Sequence, residues 1–308
     1  MDALARLGSI AQAYGGVLTR SQILAAGVRN RDLAALVASG TVARIGRGVY
    51  AVGQQLPDPH RLSASWLATI SFESAVAWHG VDLPAPLEQI HLTVPRRRGR
   101  YAGAVDGVRL HRADVAPSDV MVVRGARVTS PIRTSIDIAR HAPIDHAVAI
   151  IDAFLRAGRH SEAEFRAAAR QAQGPGRLRI QTVAELVDPA SGSVLESLTR
   201  MLLWRHGLPR PVTQLSLRNR RTGWVGYLDF AWPEHRVALE CDGYAFHSSA
   251  EAFRRDRRRW SSVTLAAWKL LVVTWFDVTQ NPSYVVHLVR QALEIGAQEN
   301  TNVTQVAS

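Results

Sequence analysis

The 308-residue sequence has a single cysteine, Cys241, and a single lysine, Lys269. One thiol excludes an internal disulfide and any cysteine-rich zinc site, so a reducing, cytoplasmic setting is expected. No apolar run approaches the roughly eighteen residues that a membrane span needs. The amino terminus, Met1-Asp2-Ala3-Leu4-Ala5-Arg6, has an early acid where a secretory leader carries its apolar core. Neither membrane insertion nor export is expected. No repeat and no low-complexity segment interrupts the chain. What the chain does have is 47% hydrophobic residues, enough for buried cores in more than one domain, and a formal charge of +11. With one lysine, nearly all of that positive charge is arginine, which grips phosphate and guanine edges bidentately. Nucleic acid is the commonest partner of such a surface.

The first 55 residues predict three short helices and a hairpin. Leu4, Leu7, Ile10 and Ala11 recur at helical spacing before Gly15-Gly16. Thr19 caps a second helix through Ile23 and Leu24, and Asn30 caps a third with Leu33, Leu36 and Val37 on its apolar face and Gly40 as its stop. Residues 41–45 and 48–52 then flank Gly46-Arg47 as a two-stranded hairpin. Three helices followed by a hairpin are the plan of a winged helix-turn-helix. The run from Gly16-Val17-Leu18-Thr19 to Arg47-Gly48-Val49-Tyr50 resembles the amino-terminal domain of AbiEi-type antitoxins. In that plan the third helix enters the major groove and the hairpin touches the backbone or the minor groove. Arg29, Asn30 and Arg31 fall on the helix and Arg44 and Arg47 on the hairpin, which makes them the expected contacts to double-stranded DNA. The alternative is that they are solvated charges on a small packing domain.

Residues 56–172 read as a middle α/β domain. A helix is expected over Leu62–Trp78, strands over 89–94, 108–112 and 120–123, a helix opening at Ser130-Pro131, and another over Ala147–Ala157. Trp78-His79-Gly80 and Thr129-Ser130-Pro131-Ile132-Arg133-Thr134 again resemble AbiEi-like antitoxins, in their second region. His79 and His91 read as core or surface residues, since no partner stands at a telling spacing. Arg96, Arg97 and Arg98 form a basic loop. Gly174-Pro175-Gly176 sustains neither helix nor strand, so a linker is expected near it.

Residues 188–298 form the third expected domain. Ser193-Val194-Leu195-Glu196 opens a helix, and two β-type runs follow: Tyr227-Leu228-Asp229-Phe230 and Val237-Ala238-Leu239-Glu240-Cys241-Asp242. Alternation along a strand puts Glu240 and Asp242 on one face and Cys241 on the other. If the hairpin sets Asp229 opposite them, three carboxylates meet. Such a group repels itself unless a cation enters, and oxygen ligands suit Mg²⁺ or Mn²⁺. Ser193-x-x-Glu196 also reads as a capping box, in which the glutamate bonds the cap's own backbone N–H.

The order of these acids, together with Glu240-Cys241-Asp242-Gly243-Tyr244-Ala245-Phe246-His247, Asp256 and Arg259, resembles the restriction-endonuclease-like fold. Within it the likeness is to the DUF559 family and the very short patch repair endonucleases. The resemblance implies a mixed-sheet α/β domain that hydrolyses DNA phosphodiesters. Asp229, Glu240 and Asp242 would hold the metal, His247 would act as acid or base, Glu196 would bind metal-bound water, and Arg257, Arg258 and Arg259 would hold phosphate. Asp242 stands where the wider fold has a lysine.

Two functions follow from this α/β multidomain reading. One is a metal-dependent DNA endonuclease or nickase targeted by its winged helix. The other is a non-enzymatic antitoxin-like repressor whose nuclease-like domain is a platform; it would bind a palindromic operator as a homodimer and have a cognate toxin as partner.

Overall fold

The computed structural model describes residues 3–13, 17–46, 48–52, 59, 63, 66, 68–96, 107–123, 126–218, 225–243 and 260–306. Packing divides the chain into Met1–Arg140 and His141–Ser308.

The first unit opens with α1 (Ala3–Ala13), β1 (Val17–Thr19), α2 (Arg20–Ala25), α3 (Asn30–Ala38), β2 (Val42–Gly46) and β3 (Val49–Val52). The expected hairpin gains a third strand: β1 pairs antiparallel with β3, giving the order β1-β3-β2. Thr19 caps α2 as expected, and Gln22 returns a bond to the Thr19 backbone to close a capping box. Asn30 is not the cap of α3. That position falls to Arg29, which offers no side-chain bond, and the Asn30 oxygen is engaged elsewhere. Leu7, Leu18, Ile23, Leu33 and Val42 close a small core. At Gly40, the backbone turns through φ +74°, a left-handed stop that a side chain would oppose.

A second sheet follows, built from β4 (Thr69–Ile70), β5 (Ile90–Val94), β6 (Val108–Arg112), β7 (Val120–Val123) and β8 (Ala126–Thr129) in the order β6-β5-β4-β8-β7. The expected helix over Leu62–Trp78 is interrupted here. Thr69 and Ile70 pair with β5 on one side and Ile70 with β8 on the other, so this short β-branched run fills the middle of the sheet, and α4 (Phe72–Trp78) starts only after it. The two antitoxin-like motifs meet: the His79 ring bonds the Thr129 carbonyl at 2.8 Å, and the Thr129 and Thr134 hydroxyls bond each other at 2.7 Å. His79 is thus a buried structural residue. The helix α5 (Pro131–His141) opens where Ser130-Pro131 predicts it.

The second unit contains α6 (Ile144–Arg156), α7 (Glu162–Gln171), α8 (Arg177–Leu186), α9 (Val194–Arg205), β9 (Val212–Arg218), β10 (Val225–Trp232), β11 (Val237–Asp242), β12 (Lys269–Thr274), α10 (Trp275–Gln280) and α11 (Pro282–Val306). Helix α6, expected to close the middle domain, packs here against α9. Asp152 of α6 and Arg200 of α9 form a buried ion pair at 2.7 Å, joined by Ser197 Oγ, which donates to the same Asp152 oxygen. Gly174-Pro175-Gly176 is accordingly a turn between α7 and α8 inside this unit, with Gly176 left-handed at the α8 cap. The sheet runs β12-β11-β10-β9; β12 is parallel to β11 and the other pairs are antiparallel. A parallel neighbour needs a crossover. Here it spans the segment that includes residues 244–259, which lie outside the described residues. Helix α11 continues to Val306, beyond the expected end of the third domain at residue 298. No described helix is long and apolar enough to cross a membrane.

Candidate functional site

The basic face of the first unit assembles from α2, α3 and β2. Arg29 and Arg31 are 65% and 72% exposed, and both reach Asp32, at 2.9 and 3.4 Å. The Arg29 hydrogen bond, chiefly, holds the Asp32 carboxyl below its ordinary range. Arg44 is exposed on β2, opposite Tyr50. Arg20, which no motif or spacing singles out, stands at the junction of these elements. Its backbone N–H donates to the Gly48 carbonyl at 2.7 Å, and its Nε and Nη2 donate to Asn30 Oδ1 at 3.2 and 3.0 Å. Arg47, Arg97 and Arg98 lie outside the described residues.

The acids of the second unit gather around the end of β10 and β11. One residue beyond the bridged pair Phe230↔Leu239, Asp229 and Glu240 come opposite each other, as the hairpin predicts. Cys241 N–H donates to Asp229 Oδ2 at 2.9 Å. Gln214 of β9 adopts φ +53°, and its Nε2 donates both to Asp229 Oδ1 at 3.1 Å and to Glu196 Oε2 at 2.9 Å. Glu196 settles its two alternatives unequally. Ser193 Oγ accepts from the Glu196 N–H at 3.1 Å and caps α9, but the glutamate side chain turns to the Gly192 N–H at 2.8 Å and to Gln214 instead of closing the box. Burial, and then the nearby Asp229, raise its carboxyl above the ordinary value. Gly192 leaves room for this approach: a Cβ there would meet the two Glu196 oxygens at 2.9 and 3.2 Å. Glu240 is 3% exposed on the central strand β11.

Cys241 places its thiol against Thr199 Oγ1 of α9 at 3.4 Å, and burial pushes that thiol well above its usual range. Asp242, by contrast, sits half-buried beside Thr274, and no hydrogen bond or ion pair joins it to the other acids. The structure therefore joins Glu196 and Asp229 through Gln214, the link that sequence reading missed, with Glu240 buried on the neighbouring strand. His247, Asp256, Arg257, Arg258 and Arg259 lie outside the described residues. Among the described residues, no group of three or more His, Cys, Asp or Glu is arranged to hold a metal ion.

A third polar group lies in the five-stranded sheet. His91 Nδ1 stands 3.1 Å from Glu73 Oε2 and 3.2 Å from His111 Nε2, with Phe72 stacked on His111 at 3.7 Å. Burial lowers the His91 pKa, Glu73 opposes that, and Arg109 adds to it.

Two family models match the first unit and the start of the second. Residues 6–53 match the family described as transcriptional regulator, AbiEi antitoxin. Residues 67–188 match the AbiEi antitoxin C-terminal domain. Two Mycobacterium tuberculosis relatives, uncharacterized protein MT2308 (strain CDC 1551 / Oshkosh) and uncharacterized protein Rv2248 (strain ATCC 25618 / H37Rv), are each 29% identical over 267 residues, covering 84% of this chain and 94% of the relative. The crystal structure of RV2827C protein from Mycobacterium tuberculosis is 16% identical with a TM-score of 0.42, covering 72% of this chain and 90% of that one. The nuclease likeness of the carboxy-terminal residues remains a resemblance of sequence. The chain thus carries AbiEi antitoxin domains over residues 6–53 and 67–188.

Proposed function

We propose that the protein is a DNA-binding transcriptional regulator of the antitoxin kind, using residues 1–55 as a winged helix. The observation that carries this is the exposure of Arg29, Asn30 and Arg31 on α3 and of Arg44 on β2, within the segment similar to AbiEi transcriptional regulators. In this reading α3 enters the major groove, the β2–β3 turn meets the backbone, and two copies bind a two-fold operator. A cognate toxin is the partner that the antitoxin likeness suggests. Each phosphate contact releases counterions, so affinity falls with salt at a logarithmic slope of about −0.9 per contact. Polarisation titrations of a labelled duplex across a salt series test this. Arg29→Ala combined with Arg44→Ala should weaken binding and flatten the slope by about two. An unchanged slope would remove these residues from the interface.

A second reading, hydrolysis of DNA phosphodiesters with Mg²⁺ or Mn²⁺, draws on Glu196 and Asp229, joined through Gln214, with Glu240 on the neighbouring strand. Mg²⁺ needs only one or two carboxylates when water and phosphate complete its shell. As placed, Asp229 and Glu196 accept hydrogen bonds from N–H groups of Cys241, Gln214 and Gly192. That fits a structural polar network better than a metal centre, and the regulator reading stands first. Mg²⁺ or Mn²⁺ that raised the melting temperature of the whole chain but not of Asp229→Asn would reverse the order.

A further inference from the structure

Asn30 is the one residue of the α3 surface whose side chain could read a base edge by either a donor or an acceptor. A free asparagine amide pairs with adenine bidentately, its oxygen accepting from N6 and its nitrogen donating to N7. Here that oxygen is taken. Asn30 Oδ1 accepts twice from Arg20, which donates from Nε at 3.2 Å and from Nη2 at 3.0 Å. Arginine has no acceptor, so the contact also fixes which end of the amide is oxygen. Arg20 is itself positioned from two sides: it is the first residue of α2, and its N–H is bonded to Gly48 in the β2–β3 turn. Arg20 and Asn30 are both exposed, on the face that carries Arg29 and Arg31.

We propose that Arg20 sets the base preference of this surface by holding Asn30 as a donor-only reader. With its oxygen occupied, the Asn30 amide presents N–H groups alone. It then favours the base edge that offers two acceptors in the major groove, guanine O6 and N7, over adenine, which offers one acceptor and one donor. Arg20 acts through Asn30 and is a positioning residue; its charge adds to general affinity, but its effect on the ratio between bases is separate from that. This inference rests on the reading of residues 1–55 as DNA-binding.

The test uses the full-length protein and a random-sequence duplex library, with enriched duplexes sequenced and single-base variants then titrated by polarisation. The position read by Asn30 is the one whose preference Asn30→Ala flattens. At that position wild type should select guanine over adenine, and Arg20→Ala should shift the ratio toward adenine by about fivefold or more, the low end of what a bidentate base contact contributes. Far-ultraviolet circular dichroism of Arg20→Ala should match wild type, since the side chain is exposed. Selection of adenine by wild type at that position, an unchanged ratio in Arg20→Ala, or the failure of Asn30→Ala to flatten any position would each overturn the role of Arg20 while leaving DNA binding intact. Absence of any duplex binding at low salt would overturn both the inference and the reading beneath it.

Discussion

Removing one partner of the Asp152–Arg200 pair should cost the second unit more than any surface change. Asp152 is fully buried and Arg200 is 7% exposed. The carboxylate accepts from Arg200 Nη2, from Ser197 Oγ and, on its other oxygen, from the Asp188 N–H at 2.7 Å. Asp152→Ala leaves a guanidinium in the α6–α9 interface whose next acid, Asp188, is 3.9 Å from Nε. Breaking a buried pair in this way costs about 3–5 kcal/mol, whereas replacing both partners with apolar residues of similar size is often nearly neutral. Asp152→Ala should therefore lower the melting temperature by roughly 6–20 °C, taking about 2–4 °C per kcal/mol. Asp152→Leu with Arg200→Met should recover most of that loss.

The same carboxyl predicts a pH dependence. Burial raises it to about 6, from an ordinary value of 3.8, against the pull of Arg200. A raised acid binds its proton more tightly in the folded chain, so its contribution is fully present below about pH 4 and is lost as pH rises through about 6. The amount is about 3 kcal/mol. Denaturant melts from pH 3.5 to 7.5 measure both effects. An Asp152→Ala variant within 0.5 kcal/mol of wild type at pH 7.5 (the usual spread of about that size for surface changes) would refute the reasoning, as would a double variant as unstable as the sum of the singles.

Gly192→Ala should destabilise by about 1–3 kcal/mol, because its Cβ would fall 2.9 Å from Glu196 Oε1 and force the carboxylate off Gln214; a thermal melt checks this, and an unshifted midpoint would mean that the helix start yields freely. Asp32→Asn should tighten non-specific duplex binding several-fold at low salt, since it removes the anion that holds Arg29 and Arg31; polarisation titration measures it, and weaker binding would speak against this face. His91, whose pKa burial depresses, should make the first unit lose stability as pH falls through about 6.5, the ordinary histidine value; His91→Gln should remove that slope in melts between pH 5 and 8.

Local signals were legible in the sequence. Thr19, Gly40 and the apolar spacing of Leu33, Leu36 and Val37 act within a turn or two of themselves, and α2 and α3 lie where they indicate. Longer-range pairing was harder to read. Thr69-Ile70 lies in an apolar stretch that helical periodicity claims equally well, and only its two strand neighbours make it β4. The antiparallel pairing of β10 with β11 was readable because a tight hairpin fixes its own register. The exclusion of Asp242 and the insertion of Gln214 depend on a third strand and on α9, whose positions no hairpin rule specifies. Arg20 was missed for a related reason: it contacts a residue ten positions away, across the turn between α2 and α3.

Residues 1–55 are expected to hold duplex DNA through α3 and β2. Nuclease protection footprinting of the full-length protein on the region upstream of its own reading frame checks this. A protected two-fold site with half-sites about one helical turn apart is expected, lost when Arg29, Arg31 and Arg44 are replaced together by alanine. An unprotected duplex at low salt, or equal protection by that triple variant, would contradict it.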